Sequence, residues 1–336
     1  MAELSDQLLV VTVLAYLVAM ICHAAEYAFG TKSHIGRAAL RPERELSMAG
    51  GPPLAPGQPE MLPIDRVEPV APADPVDPVE PNAWRSAAIG RAAVIITALA
   101  AAAHIGTLIT RGLAAERVPW GNMYEFILSA TFIGIAAWLF VLTRWPHLRH
   151  LGLFVALVQV LLLGVAGMVA YTPVGPLVPA LDSAWFIVHI AAVSTSSGIF
   201  LLGFVPAALY LMRAGYENGK RSFPYTLAKN VPAAATLERL TFRLHAFAFP
   251  IWTFGALIAG PIWAEASWGR YWGWDPKEVW AFISWIVYAG YLHARATPSV
   301  KRNVATWIAI IGFLTMLMNL FGVNLFFGGL HSYADV

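Results

Sequence analysis

A chain of 336 residues would ordinarily make two soluble domains, but 58% of these residues are hydrophobic, 12% are charged and the mean hydropathy is +0.61, which places it among membrane proteins. A formal charge of +2 gives no electrostatic case for nucleic acid, and the single cysteine, Cys22, excludes an internal disulfide and any Cys-x-x-Cys redox or zinc site. If thiols take part in the chemistry, another protein brings them.

Eight apolar spans run at roughly 7–29, 87–110, 122–143, 149–171, 184–212, 244–264, 278–294 and 303–324, each near or above the length a bilayer requires, the seventh being the shortest. They predict an all-α polytopic integral membrane protein with about eight transmembrane helices. The first span has no basic n-region and no small-residue cleavage site, so residues 1–29 read as a retained helix. Of the 22 Lys and Arg, 18 fall in loops 30–86, 143–150, 213–243 and 295–302 or, as Arg91, beside them. Only Arg111, Arg117, Arg270 and Lys277 lie on the opposite side, so the positive-inside rule turns both termini away from the cytoplasm.

Residues 30–86 carry little apolar content and repeated X-Pro pairs, including Glu68-Pro69, Asp74-Pro75, Asp77-Pro78 and Glu80-Pro81. Such a segment cannot bury enough surface to offset its chain entropy, and it reads as a disordered cytoplasmic linker ahead of a transmembrane domain over 87–336. A Pro-rich ligand for an aromatic groove would need a P-x-x-P core with a basic flank that is not clearly present. No internal repeat is seen. Outside, the second and third spans are joined through Trp120, Asn122, Tyr124 and Glu125, where interfacial anchoring plus helix capping by Asn122 accounts for the residues as well as a binding role does. There is no Gly-rich phosphate loop, no G-x-S-x-G and no H-E-x-x-H.

The densest feature is Trp263 to His293, which holds six of the 13 Trp: Trp263, Trp268, Trp272, Trp274, Trp280 and Trp285. Asp275, Pro276 and Glu278 have the spacing of a helix start, with Asp275 as N-cap and Glu278 completing a capping box. A Trp-rich loop at a membrane surface is commonly an aromatic belt. Here W-x-W stands directly before a charged helix cap, with Arg270 and Lys277 interleaved, which is denser than anchoring needs. The loop over 263–280 reads as a platform for a large, flat aromatic guest.

The pattern W-G-x-Y-W-G-W-D-P-K-E-x-W over 268–280 resembles the tryptophan-rich WWD signature of haem-handling proteins. The preceding G-x-x-W-A-E-x-x-W-G, the following Y-L-H-x-R and the terminal G-L-H-S-Y resemble the CcsA (ResC) branch used in cytochrome c assembly, over roughly the last two-thirds of the chain. Trp120 to Glu125 resembles the N-x-Y-E element that precedes the third helix in that family. The resemblance implies haem b as the bound group, with Trp263, Trp268, Trp272, Trp274, Asp275 and Trp280 in its platform.

The nine histidines sort by depth. His34, His147 and His150 lie in basic loops and read as solvated. His189 sits about one and a half turns into the fifth span, within about 8 Å of the outer interface, and His331 follows the eighth span on that side. A lone intramembrane His is more often a hydrogen bonder between helices. Two at matched depth beside an aromatic platform also suit a six-coordinate haem iron. The resemblance points to the same pair as axial ligands. His293 lies about 27 Å of helix below Asp275 and cannot serve that site. The resemblance assigns it to a second, deeper haem site whose other ligand comes from a companion protein, CcsB (ResB), with His23 as the intrachain alternative. His104 and His245 have no matched partner, and packing is expected of both.

The main expectation is a subunit of a cytochrome c synthase in the plasma membrane. It would carry haem outward and present it to the Cys-x-x-Cys-His motif of apocytochrome c, with a thioredoxin-like protein keeping those thiols reduced. Arg270 and Lys277 are candidates for the haem propionates, although headgroup contact explains them equally. Haem-lyase activity is expected only together with the companion. The alternative is a haem exporter or haem-binding chaperone of the CcmC type, without ligation activity. An ion-coupled transporter would need acidic groups at mid-membrane, and Glu26 lies near a helix end.

Overall fold

The computed structural model describes residues 1–29 and 83–331, and the expected Pro-rich linker lies almost wholly outside them. Eight long helices are present among the described residues: α1 (Ala2–Phe29), α2 (Ala83–Ala115), α3 (Met123–Arg144), α4 (Gly152–Met168), α5 (Ala184–Glu217), α6 (Ala234–Trp268), α7 (Pro276–Ala296) and α8 (Arg302–Phe326). Their ranges follow the eight apolar spans read from the sequence, and the described residues contain no strand. Seven are long and apolar enough to cross a membrane; α7 has 21 residues but is less apolar, since Lys277, Glu278, His293 and Arg295 crowd its ends. The chain is an all-helical, multi-pass membrane protein.

Helix starts follow from local chemistry. Asn122 accepts the Glu125 N–H at 2.9 Å to cap α3, Ser183 caps α5, and Asp275 with Glu278 forms the expected capping box of α7. In α6 the sequence Gly260-Pro261 forces a different solution. Proline removes an N–H and its ring clashes with the carbonyl four residues back, and the helix answers with a π turn over Gly255–Ala259 before resuming. A second π turn, Met318–Gly322, interrupts α8.

The helices form two connected groups. In the first, α1 lies along α2 and α4; in the second, α5 packs on α6 and α8 while α7 packs between α6 and α8; α3 joins the groups through α5. That junction is close because both helices are glycine there: a Cβ on Gly198 would come within 2.4 Å of the Ala130 carbonyl oxygen. Polar groups at the end of the first group where α1 finishes are buried. Glu26 pairs with Arg149, and His150, expected to be solvated, is 3% exposed. The reason is the 3-10 turn Pro146–Leu151, which tucks its residues under α1 and α2 instead of leaving them in a loop. His104 and His245 are buried as packing residues, His245 donating its Nδ1–H to the Thr241 carbonyl at 2.8 Å.

Candidate functional site

The cap of α7 organises the tryptophan-rich loop. Glu278 Oε2 accepts the N–H groups of Gly273 at 2.8 Å and Asp275 at 3.0 Å, which fixes the loop against the helix start. Asp275 then reaches beyond its own helix. Its Oδ1 accepts the Leu330 N–H and its Oδ2 the His331 Nδ1–H, both at 2.7 Å, so the capping carboxylate holds the end of the described chain over the site. Burial pushes the Asp275 carboxyl up, but these hydrogen bonds, with that from the Lys277 N–H, outweigh it and hold the group below the usual carboxylate range.

His189 is fixed from the other side. Its Nδ1 lies 2.8 Å from the Gly255 carbonyl, which belongs to the π turn of α6. Its ring stacks on Trp263 at 5.5 Å and 17°, and a Cβ on Gly260 would lie 3.1 Å from the imidazole. Trp263 is buried, donates its indole N–H to the Ala180 carbonyl at 2.9 Å and meets His331 edge-on at 5.4 Å. The two histidines therefore converge on one indole, each with its Nδ1 committed to an oxygen acceptor. In such an arrangement the Nε2 of each ring is the nitrogen left to act as a metal ligand.

Both histidines line one cavity with an open mouth. Trp120, Trp263, Trp272 and Lys277 line its outer part, and Leu201, Trp252, Phe313 and Met316 its inner part, so it enters the bundle between α3, α5, α6 and α8. Its lining is mostly apolar and aromatic with a few polar groups, the composition of a small-molecule site. The Lys277 ammonium lies 3.4 Å from Met123 Sδ and lines this space, while the neighbouring Asp275 carboxylate is engaged by His331 and that of Glu278 by the Gly273 and Asp275 N–H groups.

The residues singled out in the sequence divide accordingly. His189, His331, Trp263, Trp272 and Lys277 meet at the cavity, and Asp275 and Trp268 stand behind His331, Trp268 at 4.9 Å ring to ring. Arg270 is exposed and lies over Gly273, Trp280 is half-buried outside the lining, and Trp274 is 66% exposed at φ 57, its ring crossing Trp272 at 87°. The tryptophans thus splay in several directions and do not make one flat face. His293 is exposed on α7, whereas His23 is buried beside Thr97 and Arg149 in the other helix group, so the structure does not bring these two together. Sequence reasoning missed Gly255 and Gly260, whose signal is the Gly-Pro pair inside an apolar run, and left Trp120 open between anchoring and binding.

Residues 120–331, from Trp120 at the cavity rim to His331, match the family model described as Cytochrome C assembly protein. The cytochrome c biogenesis protein CcsA of Guillardia theta is 32% identical over 261 residues, covering 73% of this chain and 85% of that protein. The CcsA proteins of Cyanophora paradoxa and Gloeobacter violaceus are 30% and 29% identical, covering 67% and 74% of this chain and 82% and 90% of theirs. The chain belongs to the cytochrome c assembly protein family, as a multi-pass membrane protein of cytochrome c biogenesis.

Proposed function

We propose that this protein is the haem-handling membrane subunit of a cytochrome c synthase. It carries haem b as substrate from a site near the inner end of α7 to the outer cavity, where apocytochrome c takes it up through its Cys-x-x-Cys-His motif. The observation that carries the reading is the histidine pair: His189 on the Gly255 carbonyl and His331 on Asp275, two imidazoles oriented through Nδ1 at one apolar cavity. Such pairs hold haem iron well. Lys277, not Arg270, is the cation placed to meet a propionate, because it lines the cavity and Arg270 does not. The chain's part in the reaction is geometric: it ligates, orients and shields the porphyrin until the histidine of the acceptor motif replaces one of its own.

The exposure of His293 supports a deep site completed by a companion of the CcsB type, since a ligand from another protein can reach the imidazole. A thioredoxin-like protein would keep the acceptor thiols reduced, as this chain has only Cys22. The orientation, with both ends and the cavity outside the cytoplasm of the plasma membrane, requires α7 to cross. Two contacts support it. Asp6, at the start of α1, accepts from Tyr171 at 2.9 Å in the loop leading to α5, on the cavity side, and Tyr27, at the other end of α1, donates to the Leu227 carbonyl in the basic loop.

The test is an absorption spectrum of the protein purified with its companion, followed by His189→Gly and His331→Gly. A bis-imidazole haem spectrum is expected in the parent, and added imidazole should restore both ligation and cytochrome c formation in the variants. Haem bound without covalent product, companion present, would instead favour a haem exporter or chaperone. No haem in the parent protein, alone or with the companion, would overturn the reading.

A further inference from the structure

The loop between α2 and α3 has an arrangement that capping and anchoring do not require. Glu125 is fully buried and accepts from Arg111 Nε at 2.9 Å, from Arg117 at 2.8 Å and from the Gly121 N–H at 2.6 Å. Gly121 presses on the Arg117 guanidinium so closely that a Cβ would lie 2.6 Å from its central carbon. The neighbouring indole is tied separately, Trp120 donating its N–H to Ser129 Oγ at 2.9 Å on the next turns of α3. All of this machinery holds one short stretch, Trp120 to Met123, at the mouth of the cavity. There Trp120 packs beside Trp263, and Met123 meets Lys277.

We propose that Trp120 is a haem-contacting residue that completes the cavity wall next to the Trp263 cluster, and that Ser129 and Glu125 are positioning residues that act through it. The inference rests on the haem-handling reading above. A large aromatic ring held by a hydrogen bond and by a clamped backbone loses little freedom when a porphyrin packs on it, which is how a rigid aromatic contributes affinity. Trp120 thereby slows haem escape without ligating the iron.

The experiment measures haem transfer from the detergent-purified protein and its companion to excess apomyoglobin. Trp120→Ala should release haem roughly tenfold faster, with the bis-imidazole spectrum of the remaining haem unchanged. Ser129→Ala and Trp120→Phe should each accelerate release by about fivefold, and the double variant no more than either alone, because both remove the same hydrogen bond. Glu125→Gln should accelerate release in the Trp120 protein but not in the Trp120→Ala protein. Equal acceleration in both backgrounds would make Glu125 a general structural residue and overturn its assignment; should that variant not fold, Ser129→Ala carries the same test. Release unchanged in Trp120→Ala and Ser129→Ala, while His331→Ala loses haem, sinks the inference and leaves the haem reading standing. A parent protein that binds no haem fails the reading itself.

Discussion

Asp275 carries three tasks on one carboxylate: it caps α7, receives the Leu330 N–H and receives His331 Nδ1–H. Asp275→Asn separates them. Asparagine caps helices about as well as aspartate, so the change in stability should stay within about 1 kcal/mol. A neutral amide is a weaker acceptor for an imidazole N–H, and partners of this kind typically govern metal affinity by about 10–100-fold. Haem titration should therefore show a loss of that order while the thermal unfolding temperature moves little; a parallel collapse of both would mean that the cap, not the histidine, is what Asp275 serves. The cap itself was legible in the sequence, because D-P-K-E is a local pattern with local consequences. Its hold on a histidine 56 positions away was not, since nothing in a four-residue motif specifies a long-range partner.

At the scale of elements, the π turn of α6 presents the Gly255 carbonyl to His189 and leaves the ring room beside Gly260. Adding one methyl group at each glycine tests the two roles. Gly260→Ala would bring its Cβ to 3.1 Å from His189, tighter than an ordinary contact, so the imidazole must shift by a few tenths of an ångström. The expected result is a perturbed or partly five-coordinate haem spectrum in a protein of parent helix content. Gly255→Ala meets Ala192 Cβ at 2.8 Å and the Val193 backbone nitrogen at 3.1 Å, where α5 and α6 touch, and should instead destabilise the fold by about 1–3 kcal/mol. An unperturbed spectrum in Gly260→Ala would show that His189 is not held by this turn. The helices were readable from apolar run length, yet Pro261 could equally have produced a kink, a break or a π turn. The choice among these depends on α5 packing alongside, which the run itself does not record.

The whole molecule places its two candidate haem positions at opposite ends of α7. Asp275 and His293 are separated by about 27 Å of helix, close to a full hydrocarbon thickness, so one haem cannot touch both sets of ligands. That separation in depth needs α7 to cross, which its packing alongside α6 and α8 favours despite its charged ends. Single cysteines replacing Arg270 and Lys301, which flank α7, should react in a Cys22→Ser background with an impermeant maleimide from opposite sides, the second only after the inner face is opened. Reaction of both from one side would remove α7 from the crossing set and with it the depth argument. Given that topology, the two sites should fail independently. His293 is exposed at the inner end of α7, so His293→Ala removes no internal contact and should leave folding intact. With the companion present it should lower total haem by starving the outer cavity, while His189 and His331 still bind haem supplied from outside. His331→Ala should do the reverse, leaving the deep site loaded and spectrally distinct but forming no covalent cytochrome c. Haem content and maturation measured on both variants, co-expressed with the companion, decide the matter: full haem and full maturation in His293→Ala would take the deep site off this protein's path and leave His293 as an ordinary residue at a helix end.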